Sequence, residues 1–248
     1  IGVGSGRCGT SYLFGLLKSS GQVYVTPVKE TNYFGIRQQP FNRMGMTSRD
    51  YGMLFVSQKD ERYISEITPV YLCHPLAMRL IRAELGPVKI IVTLRSPISR
   101  LRSHFLYHQT LHKYGDLDAY ARAGMDNYVA EAFTMAWNSA DFAVRMSRYT
   151  AGVAAALEHF GRENVLVLMY EDLQQSHNKW AEQLEAFLTV PFPRTERAEA
   201  VNKNTKSEAR FSPEVSQRLA AFFADDVKRL SALLKVDLNS YWDIHTVQ

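Results

Sequence analysis

The stretch Ile1-Gly2-Val3-Gly4-Ser5-Gly6-Arg7-Cys8-Gly9-Thr10-Ser11 opens the chain and decides how the rest is read. Its apolar start suits a short buried strand, and Gly4, Gly6 and Gly9 then turn the backbone. From Thr10 to Ser19 the residues Leu13, Phe14, Leu16 and Leu17 recur at helical spacing, with Gly21 as a stop just beyond. A strand, a glycine-rich loop and a helix in that order can cradle an anion. Glycines let backbone amides approach it with no Cβ in the way, and the helix start offers N–H groups and the positive end of its dipole. The expected contacts are Gly6, Arg7, Cys8, Gly9, Thr10 and Ser11, with Arg7 adding charge and Thr10 and Ser11 adding hydroxyls. This is not a Walker loop. Gly9-Thr10-Ser11 stands where Gly-Lys-[Ser/Thr] would be, so ATP or GTP hydrolysis loses the lysine it leans on.

Working outward, Val23-Tyr24-Val25 and Tyr63-Ile64-Ser65-Glu66-Ile67 read as further strands, separated by a polar turn at Lys29-Glu30-Thr31-Asn32 and a loop over 36–50. Pro75 to Leu85 reads as a helix. Val88-Lys89-Ile90-Ile91-Val92-Thr93-Leu94 is the clearest strand, β-branched and apolar on both faces, which places it inside a parallel sheet. A helix is expected from Ile98 to Tyr107, a mostly helical substrate-side segment over 105–147, and a helix from Thr150 to Phe160 closed by Gly161. Val165 to Tyr170 reads as a buried strand, Trp180 to Leu188 as a helix, and Pro213 to Leu234 as one long helix. Strands alternating with helices predict an α/β fold, a central parallel sheet flanked by helices, in a single domain spanning 1–248.

A second constellation follows the best strand: Leu94-Arg95-Ser96-Pro97-Ile98-Ser99-Arg100-Leu101-Arg102-Ser103-His104. Arg95 falls at the strand's carboxyl end, where open parallel sheets bind ligands, and Pro97 suits the first turn of the next helix. Arg100 and Ser103, three apart on that helix, could bring a guanidinium and a hydroxyl to one phosphate.

Composition narrows the classes further. The net charge of +4 suits an anionic ligand, but the 29 Lys and Arg are scattered among 25 acids and form no basic run, so nucleic acid is not an expected partner. The two cysteines, Cys8 and Cys73, belong to no CxxC pair, which argues against structural zinc and a disulfide framework and favours a reducing, cytoplasmic setting. No run of 18 apolar residues is present, so no membrane span is expected. The chain opens directly inside a strand, as an excised domain of a longer protein would.

Together the loop Gly4 to Ser11 and the pair Arg95 and Ser103, eight residues apart, resemble the sulfotransferases that use 3′-phosphoadenosine 5′-phosphosulfate (PAPS). Lys29-Glu30-Thr31-Asn32-Tyr33-Phe34, Glu66-Ile67-Thr68-Pro69-Val70-Tyr71 and Leu168-Met169-Tyr170-Glu171-Asp172-Leu173 extend the likeness, in a register similar to the heparan-sulfate-type branch. The resemblance implies a P-loop-like fold, PAPS as co-substrate and PAP as product, and no metal. It implies that the first loop holds the 5′-phosphosulfate while Arg95 and Ser103 hold the 3′-phosphate. Arg7 and Lys29 take the cationic positions beside the transferred group, Glu30 matches the branch's catalytic base, and Lys203 and Lys206 fall in a basic loop that closes on the nucleotide.

His104 is the rival base, because histidine titrates near neutrality and His104 adjoins Ser103. Arg43 is the candidate for the acceptor side. Asn32 replaces the branch's histidine and Ile67 stands where a lysine is common, which points away from a glycosaminoglycan. The acceptor class ranked first is a β-hydroxyacyl chain on an acyl carrier protein, as in sulfotransferase domains of bacterial polyketide assembly lines. The alternatives are a glycan or small-molecule O-sulfotransferase, a nucleotide kinase, and a non-catalytic nucleotide-binding domain.

Overall fold

The computed structural model describes residues 1–34, 46–108, 114–133, 136, 138–194 and 209–242. In chain order the elements are β1 (Gly2–Gly4), α1 (Thr10–Ser19), β2 (Val23–Val25), α2 (Ser48–Met53), β3 (Tyr63–Ser65), a 3-10 turn (Pro69–Cys73), α3 (Ala77–Leu85), β4 (Ile90–Leu94) and α4 (Pro97–Tyr107). There follow α5 (Leu117–Asp126), α6 (Ala140–Arg145), α7 (Thr150–Phe160), a 3-10 turn (Arg162–Asn164), β5 (Val165–Met169), α8 (Tyr170–Gln175), α9 (His177–Leu188), α10 (Pro213–Leu234) and α11 (Leu238–Trp242). The chain forms two compact units, Ile1–Leu94 with Ala155–Val201, and Arg95–Ala154 with Asn202–Gln248.

The first unit holds the sheet. β1, β4 and β5 lie side by side in that order, all parallel, and β2 pairs with β3, also parallel. β3's continuation joins the two sets: the Gly2 amide donates to the Glu66 carbonyl at 2.9 Å and the Thr68 amide to the Gly2 carbonyl at 2.9 Å. The strand order is therefore β2-β3-β1-β4-β5, and the crossover from β3 to β4 passes β1, so order reverses beside β1. β4 is buried along its whole length, as its β-branched, almost wholly apolar run requires of an interior strand.

Leu13, Leu16 and Leu17 of α1 pack with Ile67, Ile91 and Leu168 of the sheet and with Trp180, Leu184 and Leu188 of α9. Trp180 is fully buried, and its indole N–H is satisfied by the Met169 carbonyl at 2.8 Å. Burying its ring is worth roughly 2–3 kcal/mol.

The second unit is helical. Its core is built from Leu101 and Phe105 of α4, Tyr120 of α5, Phe142 and Val144 of α6, and Leu219, Phe223 and Val227 of α10. Side chains cap three of its helices: Asp116 accepts from the Ala119 amide, Ser139 from Phe142 and Ser212 from Val215. Tyr149 and Thr150, which start α7, are fastened to α10 through Asp226: its carboxylate accepts from the Tyr149 amide at 2.8 Å, and its carbonyl from the Thr150 hydroxyl at 2.7 Å.

The expected elements fall close to their observed bounds, and further short ones join them, among them the 3-10 turn Arg162–Asn164 and α11. Helix α2 begins inside the stretch expected as loop, because Thr47 and Asp50 form a reciprocal capping box. Pro69–Cys73 is a 3-10 turn, and Tyr170, expected to end β5, instead begins α8.

Candidate functional site

The loop after β1 is shaped by two glycines. Gly4 has φ +105°, and a Cβ on it would lie 2.0 Å from the Pro69 carbonyl oxygen. Gly9 has φ +86°, and its Cβ would lie 2.8 Å from Cη2 of Trp180. Both positions exclude a side chain, so the loop backbone sits directly on its supports. The Ser5 amide donates to the Thr93 carbonyl at 2.7 Å, tying the loop to the carboxyl end of β4. Gly9 starts α1 with no side-chain cap, so the first-turn amides are not consumed by one. Arg7 adopts φ +67°, a left-handed conformation costing about 1–2 kcal/mol, and is half-buried. Gly6 and Ser11 are half-buried too, and Thr10 is buried. The Cys8 side chain turns inward, fully buried, with its thiol donating to the Gly6 carbonyl at 3.6 Å. Its contribution to an anion is therefore its backbone.

In the same unit, Lys29 Nζ and Glu30 Oε1 form an ion pair at 3.4 Å, with side chains 21% and 29% exposed. Beneath them lies a buried polar cluster. Glu66 Oε2 accepts from the Thr68 hydroxyl at 2.8 Å and the Thr31 hydroxyl at 3.0 Å, and Thr31 Oγ1 lies 3.2 Å from the Tyr71 hydroxyl. Burial pushes the Glu66 carboxyl up to about 7, against the pull of the Thr68 and Thr31 hydrogen bonds. Asn32, at φ +53°, donates its amide to Thr68 Oγ1 at 3.2 Å and its side-chain Nδ2 to the Glu30 carbonyl at 3.3 Å. Ile67 is fully buried against Gly2 and presents nothing to a ligand.

In the second unit, the Tyr149 hydroxyl donates to the Arg95 carbonyl at 2.9 Å and so fixes the backbone just past β4. Ser103 lies half-buried on α4. Two cations that the sequence does not single out join Arg95. Burial and then the neighbouring guanidiniums of Arg95 and Arg210 hold Arg102 below the ordinary arginine value, and Arg102 Nε donates to the Ala209 carbonyl. Arg102 is visible in the sequence as a basic residue one step before Ser103; Arg210 is brought in from distant sequence by the chain path before α10.

Arg100 corrects an expectation. It does not reach toward a phosphate with Ser103 but is fully buried, donating to the Ala143 carbonyl at 2.6 Å and the Ser147 hydroxyl at 3.0 Å. Its Nη2 also lies 3.1 Å from Nδ1 of the buried His104. A guanidinium has only donors, so Nδ1 must accept and the neutral imidazole carries its hydrogen on Nε2. Arg43, Lys203 and Lys206 lie outside the described residues.

Among the described residues no group of three or more His, Cys, Asp or Glu could hold a metal ion, and no helix is long and apolar enough to cross a membrane.

Comparison with known proteins bears on the family and the fold. A family model described as the sulfotransferase domain matches residues 4–220. A crystal structure of a sulfotransferase from Alicyclobacillus acidocaldarius is similar at TM-score 0.79 and 26% identity, over 97% of this chain and 96% of that one. The sulfotransferase domain from the curacin biosynthetic pathway shares the fold at TM-score 0.52 and 18% identity, over 77% and 74% of the two chains. Mouse sulfotransferase SULT7A1, solved with PAP, does so at TM-score 0.57 and 14% identity, over 95% and 86%. No curated protein sequence matches.

Proposed function

The chain belongs to the sulfotransferase family, and we propose that it moves the sulfuryl group of PAPS to an acceptor hydroxyl by in-line displacement. Glu30 takes the hydroxyl proton as the new O–S bond forms. The S–O bond to the 5′-phosphate breaks, and PAP departs with the bonding electron pair. Arg7, Lys29 and the amides at the start of α1 offset the charge that gathers on the departing phosphate. Gly6, Cys8, Gly9, Thr10 and Ser11 hold that phosphate through backbone and hydroxyl donors, while Arg95 and Ser103 read the 3′-phosphate.

The observation that most supports this donor is the gathering of Arg95, Arg102 and Arg210, whose mutual repulsion is felt by Arg102. Like charges brought together suit a dianionic phosphate accepting from several guanidiniums. Lys203 and Lys206 keep the loop role that the family resemblance implies, and Arg43 stays the candidate for the acceptor side. Glu30 is favoured over His104 as base because the Arg100 hydrogen bond occupies Nδ1 and leaves Nε2 protonated, a donor rather than an acceptor of protons.

For the acceptor, we favour a β-hydroxyacyl chain carried by an acyl carrier protein. Ile67 and Asn32 bring no charge to meet an anionic sugar, and the resemblance to sulfotransferase domains of polyketide assembly lines makes carrier-bound chains the first acceptors to try; the curacin-pathway domain shares the fold.

The test supplies PAPS with a panel of hydroxyl acceptors, 3-hydroxyacyl pantetheine thioesters included, and compares the wild type with Glu30→Gln and His104→Ala. Loss of a general base costs about a hundredfold or more in kcat, expected here for Glu30→Gln only. Turnover of Glu30→Gln within tenfold of wild type would place the base elsewhere.

A further inference from the structure

The segment Lys29 to Phe34 carries the proposed base yet belongs to no helix or strand. Three successive amides after Glu30 are instead received by side-chain oxygens. Asn32 N–H goes to Thr68 Oγ1 at 3.2 Å, while Tyr33 N–H and Phe34 N–H go to the Tyr71 hydroxyl at 2.9 and 3.1 Å.

The direction of each remaining hydrogen bond follows by elimination. Tyr71's oxygen already accepts two amides, so its own hydrogen goes to Thr31 Oγ1 at 3.2 Å. Thr31's hydrogen then goes to Glu66 Oε2 at 3.0 Å. Thr68, accepting from Asn32, sends its hydrogen to the same Oε2 at 2.8 Å. The two threonine hydroxyls lie 3.4 Å apart, but both hydrogens are already committed to Glu66, so two chains of donors end on one oxygen. One runs from Tyr33 and Phe34 through Tyr71 and Thr31, and the other from Asn32 through Thr68.

Thr31, Thr68 and Tyr71 are fully buried and Glu66 is 1% exposed, so water offers none of these groups a substitute. The other carboxyl oxygen, Oε1, is buried with no hydrogen-bond partner among the described residues, which makes it the place for a proton while Oε2 keeps accepting. The chains end on a carboxyl that β3's continuation fixes beside β1, through Gly2 N–H to the Glu66 carbonyl at 2.9 Å.

We propose that Glu66 is a positioning residue: as the common end of both hydrogen-bond chains it sets the backbone of residues 31–34 and thereby the placement of Glu30. This rests on the reading of Glu30 as base. Glu66 itself touches no reacting atom.

Backbone hydrogen exchange reads the claim without any turnover. Glu66→Met keeps the volume and removes the acceptor, and should speed exchange at the amides of Asn32, Tyr33 and Phe34 by about tenfold or more. Glu66→Gln retains an acceptor oxygen and should recover most of that protection. Thr68→Val cuts one chain and should loosen Asn32 alone; Thr31→Val cuts the other and should loosen Tyr33 and Phe34. These two also decide the matter should Glu66→Met fail to fold. In catalysis, Glu66→Met should lower kcat by about tenfold with the KM for PAPS within about twofold, and Glu66→Gln should restore it. Wild-type exchange at all three amides in Glu66→Met, or equal loosening of all three in both threonine variants, would overturn the proposal. A wild-type protein that neither binds PAP nor turns over PAPS would instead overturn the sulfotransferase reading and leave the exchange result standing.

Discussion

Changing Gly9 to alanine tests the packing of the phosphate loop with a single methyl group. Gly9 has φ +86°, and the added Cβ would meet Cη2 of Trp180 at 2.8 Å and Cδ2 of Tyr170 at 3.2 Å. Trp180 cannot retreat, being fully buried in the core of α1 and α9 and held by its hydrogen bond to Met169. The left-handed backbone costs an alanine about 1–2 kcal/mol, and overpacking adds about 1–3. Reduced freedom of the unfolded chain returns less than about 1 kcal/mol. The net destabilisation is about 2–4 kcal/mol, a fall in Tm of about 5–15 °C for a chain of this size.

Gly15 lies on the same helix, exposed, and a Cβ added to it would have nothing within 4 Å. Gly15→Ala should therefore stabilise by about 0.5–1 kcal/mol through helix propensity alone. Urea unfolding of the two variants beside the wild type measures both. If Gly9→Ala is as stable as Gly15→Ala, the loop does not rest on Trp180 and the account of its shape fails.

Two further outcomes follow from buried acids. Burial raises Glu66 to about 7 in the folded protein against an ordinary 4.5, with Tyr71 and Tyr51 among its electrostatic neighbours. Its protonation favours the fold, so that contribution is complete below about pH 4.5 and is lost as pH rises through about 7, amounting to about 3 kcal/mol; Glu66→Gln should flatten this part of the stability profile, and an unchanged slope would show that Glu66 ionises normally. Asp226 is 3% exposed and accepts the Tyr149 amide at 2.8 Å, so Asp226→Ala orphans a buried donor and should cost about 1–3 kcal/mol in chemical denaturation, whereas a loss under 0.5 kcal/mol would mean water reaches that amide.

Much of the sheet and its loop can be read from local pattern. The β-branched, almost wholly apolar run Ile90–Leu94 reads as an interior strand, and Gly4 and Gly9 mark where backbone must pass closely. Helix α2 is hidden because its start depends on a reciprocal pair, Thr47 and Asp50, set in a glycine- and arginine-rich stretch that reads as loop. Arg100 misleads because its charge and its spacing from Ser103 suggest a phosphate, whereas besides His104 on its own helix its partners include a carbonyl and a hydroxyl of α6 and the turn after it, more than forty residues away. Glu66 is legible as a charge interrupting an apolar strand, but its partners Thr31 and Tyr71 come from separate segments that only the fold unites. Arg210 joins Arg95 and Arg102 for the same reason. Local pattern finds where a backbone bends; it does not find which distant side chains meet.

The proposed donor carries a 3′-phosphate read by Arg95 and Ser103. Calorimetric titration of the protein with PAP and with ADP, each with and without magnesium, tests it most directly. Two charge-assisted contacts that only PAP can make are together worth about 3 kcal/mol, or about a hundredfold in affinity. PAP should therefore bind about a hundredfold tighter than ADP with no need for the metal; equal affinities, or PAP binding that requires magnesium, would contradict the account.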